Sequence, residues 1–118
     1  MTFQLDKPFF IAVEENWTWE DDAAVQVKFN RILGDSRCPA DAICVWAGRA
    51  EAEIIFEQPG GSVTDTLAFG DFSGSTHTDQ AHFGNYTVQL LSVLPIPKTT
   101  QTIQPGDYKL QLEVRKAE

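Results

Sequence analysis

Residues 9–13, Phe9-Phe10-Ile11-Ala12-Val13, form an apolar β-prone run directly after Pro8 and predict a first strand. Residues 14–16 read as a break or bulge. Trp17-Thr18-Trp19 then sets both indoles on one face of a short extended piece. After the polar turn Glu20-Asp21-Asp22, Val25, Val27 and Phe29 alternate with Gln26, Lys28 and Asn30, which predicts a half-buried strand over 23–33. Further on, Trp46, Gly48, Ala50, Ala52, Ile54 and Phe56 keep one face apolar while Arg49, Glu51 and Glu53 line the other. The small residues on that face call for a bulky filler from the facing layer, Trp17 or Trp19. Gln58-Pro59-Gly60-Gly61-Ser62 is hairpin-turn chemistry. The chain returns over 63–69, with Val63, Leu67 and Phe69 on a face that Asp65 interrupts.

Residues 70–85, GDFSGSTHTDQAHFGN, show no sustained period and are expected to be one long loop or to contain a short edge strand. Tyr86, Val88 and Leu90 share a face in the next strand, 86–94. Leu91 and Val93 switch parity, which predicts a bulge or burial on both sides. Pro95-Ile96-Pro97 ends that strand, and 98–104 is a polar connection. Pro105-Gly106-Asp107 turns into the last strand, where Tyr108, Leu110, Leu112 and Val114 alternate with Lys109, Gln111, Glu113 and Arg115. Helical periodicity is absent throughout. Six to eight strands with this turn chemistry predict an all-β, antiparallel two-sheet sandwich, immunoglobulin-like, with a small β-barrel as the alternative. Tyr108 after Pro-Gly-Asp resembles the tyrosine corner of immunoglobulin-like domains. The cysteines do not follow that pattern, because they sit on one loop and cannot pin two sheets together.

Composition narrows the functional classes. At 118 residues, 42% hydrophobic and 11% aromatic, the chain is expected to be one packed domain. A net charge of −8 argues against nucleic acid, whose binding rests on neutralising phosphates with Lys and Arg. It also argues against anionic membrane surfaces, and no apolar run approaches the length of a membrane span. The opening MTFQLDKPFF lacks the basic and apolar regions of an export signal. Given the cysteines, the expectation is the mature form of a periplasmic, cell-surface or secreted protein.

The segment 34–48, GDSRCPADAICVWAG, has the most evident internal architecture. A Cys38–Cys44 disulfide would close a small ring, worth roughly 2–2.5 kcal/mol by chain entropy. Pro39 and Asp41 suit a tight turn within it, and Asp35 and Ser36 are natural turn openers. Cys44, Trp46 and Gly48 would share a face beyond it, with the indole covering the sulfur and Gly48 leaving room for close backbone approach. Two other uses of the cysteines are a redox pair, whose usual spacing is shorter, and a zinc site completed by His77 and His82. The run Asp35-Ser36-Arg37-Cys38-Pro39, followed by Cys44, Trp46 and Gly48, resembles a group of small, largely uncharacterised bacterial secreted or lipoprotein-type proteins with a D-S-R-C-P…C-x-W-x-G signature. That resemblance implies an extracytoplasmic β-domain with a local disulfide, and no catalytic mechanism.

Several constellations bear on chemistry. Glu14, Glu15, Glu20, Asp21 and Asp22 offer oxygen ligands for calcium, yet without an EF-hand loop they read as solvated turn residues. Asp71, Ser73, Ser75, His77, Asp79 and His82 supply the parts of a hydrolase, in a composition any polar loop shares. Trp17 and Trp19 suit a sugar platform or, on a half-buried strand, core packing. Two glycosylation sequons, at Asn16 and Asn85, are read as chance matches. The expectation is therefore a non-enzymatic binding or accessory domain without cofactor or metal, recognising a protein or a glycan through its end loops. A protease inhibitor of sandwich type and a calcium- or zinc-binding protein are the alternatives. Candidate contacts are Phe72, Ser73, His77, Asp79, His82 and Phe83 in the long loop, with Arg37 and Asp41 at the stapled corner.

Overall fold

Alternating apolar positions become two packed sheets in the computed structural model, which describes residues 1–45, 48–71 and 75–116. The first sheet contains β1 (Thr2–Phe3), β3 (Asn16–Trp19), β4 (Asp22–Asp35), β5 (Arg49–Gln58) and β6 (Gly61–Gly70), in the order β1-β3-β4-β5-β6. The second contains β2 (Phe9–Ala12), β7 (Gln80–Phe83), β8 (Tyr86–Leu94) and β9 (Lys109–Lys116), in the order β2-β9-β8-β7. All pairings are antiparallel except β1 with β3. The sheets do not close on each other, so the architecture is a sandwich and not a barrel. It has the two packed layers of immunoglobulin-like domains, connected as two meanders where those domains use Greek keys.

The core follows the period-2 faces. Val25, Val27 and Phe29 of β4, and Ala50, Ala52, Ile54 and Phe56 of β5, face Val88 and Leu90 of β8 and Leu110, Leu112 and Val114 of β9, all essentially inaccessible to solvent. The parity switch in β8 is a register shift between Leu90 and Ser92, after which Val93 is buried. Trp17 and Trp19 are half-buried at the margin of this core, not on an open platform. Trp17 stacks on Phe9 at 5.1 Å, and Trp19 meets Tyr86 edge-on at 6.2 Å. They are therefore not the filler over the small residues of β5. Ala50 and Ala52 have Phe69 and Leu67 as cross-strand neighbours instead.

The segment 70–85 resolves into two parts. β6 runs to Gly70, and the short edge strand β7 occupies Gln80–Phe83. Between them the Thr78 carbonyl accepts from the Ala68 N–H at 2.8 Å, and the Asp79 carbonyl accepts from the Leu90 N–H at 2.7 Å. The crossing between sheets is thus pinned on both sides. Phe83 is buried and stacks on Phe56 at 4.9 Å, so it belongs to the core and is not a loop anchor.

Strand directions sort the connections by end. The turns at 20–21, 59–60 and 84–85 lie at one end. The connections β2–β3, β4–β5, β6–β7 and β8–β9 leave from the other, tied by bonds such as Val13 N–H to the Tyr108 carbonyl at 3.2 Å and Ala40 N–H to the Pro97 carbonyl at 2.8 Å.

Candidate functional site

Asp35, the last residue of β4, is the hub of the loop end. Arg37 folds back so that Nε donates to Oδ1 and Nη2 to Oδ2, each at 2.8 Å. The same guanidinium donates across to the second sheet, from Nη1 to the Val93 carbonyl at 2.7 Å and from Nη2 to the Pro95 carbonyl at 3.0 Å. Only a planar fork of donors reaches a carboxylate and two carbonyls at once. Tyr108 completes the cluster, its hydroxyl donating to Asp35 Oδ2 at 3.0 Å. This is not the tyrosine corner of immunoglobulin domains, whose hydroxyl bonds to backbone a few residues upstream.

The Arg37 and Asp35 side chains are 9% and 12% exposed, although the Asp35 main chain stays open to solvent. Burial works to raise the Asp35 pKa, but the hydrogen bonds and charge of Arg37, with the Tyr108 hydroxyl, outweigh it and hold the carboxyl below its ordinary range. Burial, followed by the hydrogen bond to the Asp35 carboxylate, pushes the Tyr108 phenol up to about 12.

A second tie fixes the stapled loop. The Cys38–Cys44 disulfide is formed, with the Cα atoms 5.9 Å apart. Within its ring Asp41 accepts from Thr99 N–H at 2.9 Å and Thr99 Oγ1 at 2.7 Å, which lowers its pKa, the side-chain bond contributing most. At the base of the loop, Ser36 N–H donates to the Arg49 carbonyl at 2.8 Å. The two arms press together at Gly48, where a Cβ would lie 1.8 Å from the Ser36 carbonyl oxygen. Arg37 and Asp41, expected as contacts for a partner, are therefore occupied in holding this corner to the 93–99 segment.

What the corner presents is apolar. Ile43 and Val45 are 104% and 101% exposed, values that leave no part of either side chain packed on the domain. Sequence reasoning missed them because apolar residues next to a cysteine read as strand or core. The available signal was their place within and just after the Cys38–Cys44 ring, which is too small to bury anything. Trp46, Phe72 and Ser73 lie outside the described residues. The other loop candidates are dispersed. His77 is half-buried, its N–H donating to Ser75 Oγ at 3.1 Å. Asp79 accepts from Gln89 at 3.5 Å, while Nδ1 of the exposed His82 lies 3.0 Å from Thr87 Oγ1. The two residues thus bond to β8 rather than to each other.

In the acidic cluster, Glu15 accepts from Ala12 N–H at 2.7 Å and from the Trp17 indole at 3.2 Å, and Asp22 from Ala24 N–H at 3.0 Å. Among the described residues no three His, Cys, Asp or Glu gather as metal ligands.

Beside the hub lies a cleft of about 520 Å³, between the β2–β3 turn, the end of β4 and the approach to β9. Val13, Ile32, Ile103 and Pro105 supply apolar walls, and Glu14, Asn30 and Arg31 a polar rim. Glu53 accepts from Asn30 at 2.6 Å and Arg31 Nε at 3.2 Å, which turns both rim residues toward β5.

Comparison with protein-family models, curated proteins and solved structures finds no match for this chain.

Proposed function

We propose that this chain is a non-enzymatic binding domain of an extracytoplasmic compartment that recognises a protein partner through its loop end, with the stapled tip as the leading contact. The observation that carries this reading is the full exposure of Ile43 and Val45 on a loop braced by a disulfide, the Asp41–Thr99 bonds and the Arg37 fork. Bare aliphatic side chains on a rigid support gain free energy when an apolar pocket covers them, and little ordering entropy opposes that gain. Aliphatic groups favour a protein over a glycan, since sugar stacking needs aromatic faces and Trp17 and Trp19 are engaged in packing. The disulfide supports an oxidising compartment. A protease cleft is one pocket of the required chemistry.

The test compares the wild-type chain with Ile43→Ser/Val45→Ser in capture from the native extracytoplasmic fraction, with thermal melting as the fold control. The expected result is loss of the captured partner at an unchanged melting temperature. Equal capture by both chains would refute the tip as the contact. Inhibition of a protease panel, abolished by the same double change, would make the partner a protease.

A further inference from the structure

β4 outruns its neighbour. Its pairing with β3 ends at Asn16↔Lys28, and one more exchange follows, Glu14 N–H to the Phe29 carbonyl at 2.6 Å and Phe29 N–H to the Glu15 carbonyl at 3.2 Å. The chain then leaves for β2, in the other sheet, while β4 continues to Asp35 with β5 on its far side only. Register shifts between Phe29 and Arg31 and between Ile32 and Gly34 keep Ile32 in phase with Phe29. The Ile32 N–H and C=O consequently face the vacated side, where no described strand pairs with them.

The 520 Å³ cleft opens beside this edge, walled by Ile32 and Ile103. At its rim Arg31 is turned to Glu53, and Asp35 is matched by Arg37 and Tyr108. Glu14, exposed and held at φ 69°, has no side-chain partner among the described residues, on a chain of net charge −8.

We infer that the open edge of β4 beyond Phe29 takes up an extended segment of the partner protein as an added strand, with one apolar side chain seated between Ile32 and Ile103 and a Lys or Arg beside it facing Glu14. Main-chain bonds to an open edge supply affinity in this mode of recognition, and the pocket and the charge supply selectivity. The inference rests on the reading of the loop end as the binding end and adds the conformation and chemistry of what binds there. The two bulges limit the added ladder to a few residues, which also keeps this edge from pairing with further copies of the chain.

A phage-displayed library of short random peptides, panned on the full disulfide-intact chain, supplies the probe. Selected peptides should carry an apolar residue next to Lys or Arg and slow hydrogen exchange at the Ile32 amide. N-methylation of the peptide backbone should abolish binding at alternate positions. Ile103→Lys should weaken binding by about tenfold or more, as for a buried anchor. Glu14→Gln should weaken it less and flatten its salt dependence. The Ile43→Ser/Val45→Ser chain should bind the same peptides as the wild type, so the two contacts read out separately. Failure to select any peptide would overturn the inference. So would tolerance of N-methylation at every position, unchanged binding to Ile103→Lys, an unprotected Ile32 amide, or loss of peptide binding in the tip variant.

Discussion

Tyr108, at the entry to β9, donates its hydroxyl hydrogen to Oδ2 of Asp35, the last residue of β4, at 3.0 Å across a sequence separation of 73. The bond joins the two sheets at the end where the long connections leave. Asp35 would otherwise be held by Arg37 alone from the same loop, so Tyr108 makes the carboxylate an inter-sheet junction. Tyr108→Phe keeps the buried ring and removes only this bond. The expected cost is about 1.5–3 kcal/mol, the range for a hydrogen bond to a charged group, read as a lower chemical-denaturation midpoint. An unchanged midpoint would show that Arg37 alone secures the carboxylate.

The same bond sets an alkaline limit. The folded-state pKa of Tyr108 is raised to about 12, above the unfolded value near 10. Its contribution is therefore fully present below about pH 10 and is lost as pH rises through about 12. Absorbance titration should show one tyrosine ionising late, and Tyr108→Phe should remove that late step. Melting of the wild type should fall across this window more steeply than that of the variant.

Acid acts in the opposite sense. The pKa of Asp35 is lowered against its burial by Arg37, that of Asp41 chiefly by the Thr99 hydroxyl, that of Glu53 chiefly by Asn30, and that of Glu15 chiefly by the Ala12 N–H. A depressed folded-state pKa gives stability that is present above the ordinary carboxylate range, near 4, and lost as pH falls through the lowered values. Melting temperature should decline below about pH 4. Asp35→Asn should be less stable at neutral pH and show a shallower acid decline, because one depressed carboxylate has gone. A parallel decline in both chains would locate the acid sensitivity elsewhere.

Gly48 and Gly34 form a matched pair for substitution. A Cβ at Gly48 would meet the Ser36 carbonyl oxygen at 1.8 Å, whereas nothing lies within 4 Å of one at Gly34. Gly48→Ala should cost about 1–3 kcal/mol or more, because the obstructing atoms are backbone and the loop base must part. Gly34→Ala should be neutral or stabilise by up to about 1 kcal/mol by restricting the unfolded chain. Equal melting temperatures for the two variants would contradict the close approach at Ser36.

Reduction tests how the stapled corner is held. Opening the Cys38–Cys44 ring should lower stability by about 2 kcal/mol without unfolding the domain. Asp41–Thr99, Ala40–Pro97 and the Arg37 fork hold the same loop independently. Denaturation with and without reductant measures this, and global unfolding on reduction would show those bonds to be insufficient.

Phe83→Ala distinguishes a core residue from a loop contact. Phe83 is buried against Phe56, so truncation should cost about 3–5 kcal/mol. A stable variant that has lost its partner would instead assign Phe83 to recognition.

The strands and their faces were legible because a period of two is a local property. Val25, Val27 and Phe29, or Leu110, Leu112 and Val114, declare a buried face whatever lies across from it. Turn chemistry is equally local: Pro59 and Gly60 close the β5–β6 hairpin, with Gly60 at φ 107°. Even the β8 irregularity was written in the parity of Leu90 and Val93. β7 was harder to see, because two inward residues, Ala81 and Phe83, are too few to establish a period.

By itself, then, the sequence determined an all-β fold, its core faces and the pairing partners for one disulfide, while the choice of sandwich over barrel came from how the two sheets stack. The tertiary structure alone decided which polar side chains are occupied and which apolar ones are bare. Arg37 reads locally as a surface cation, and only the approach of Val93 and Pro95, more than fifty positions away, makes it a clamp. Ile43 and Val45 read locally as material for burial, and only the fixed geometry of the loop leaves them in solvent. Side-chain polarity is carried by one residue, but a hydrogen bond or a contact belongs to two, and the second partner is chosen by how the sheets stack.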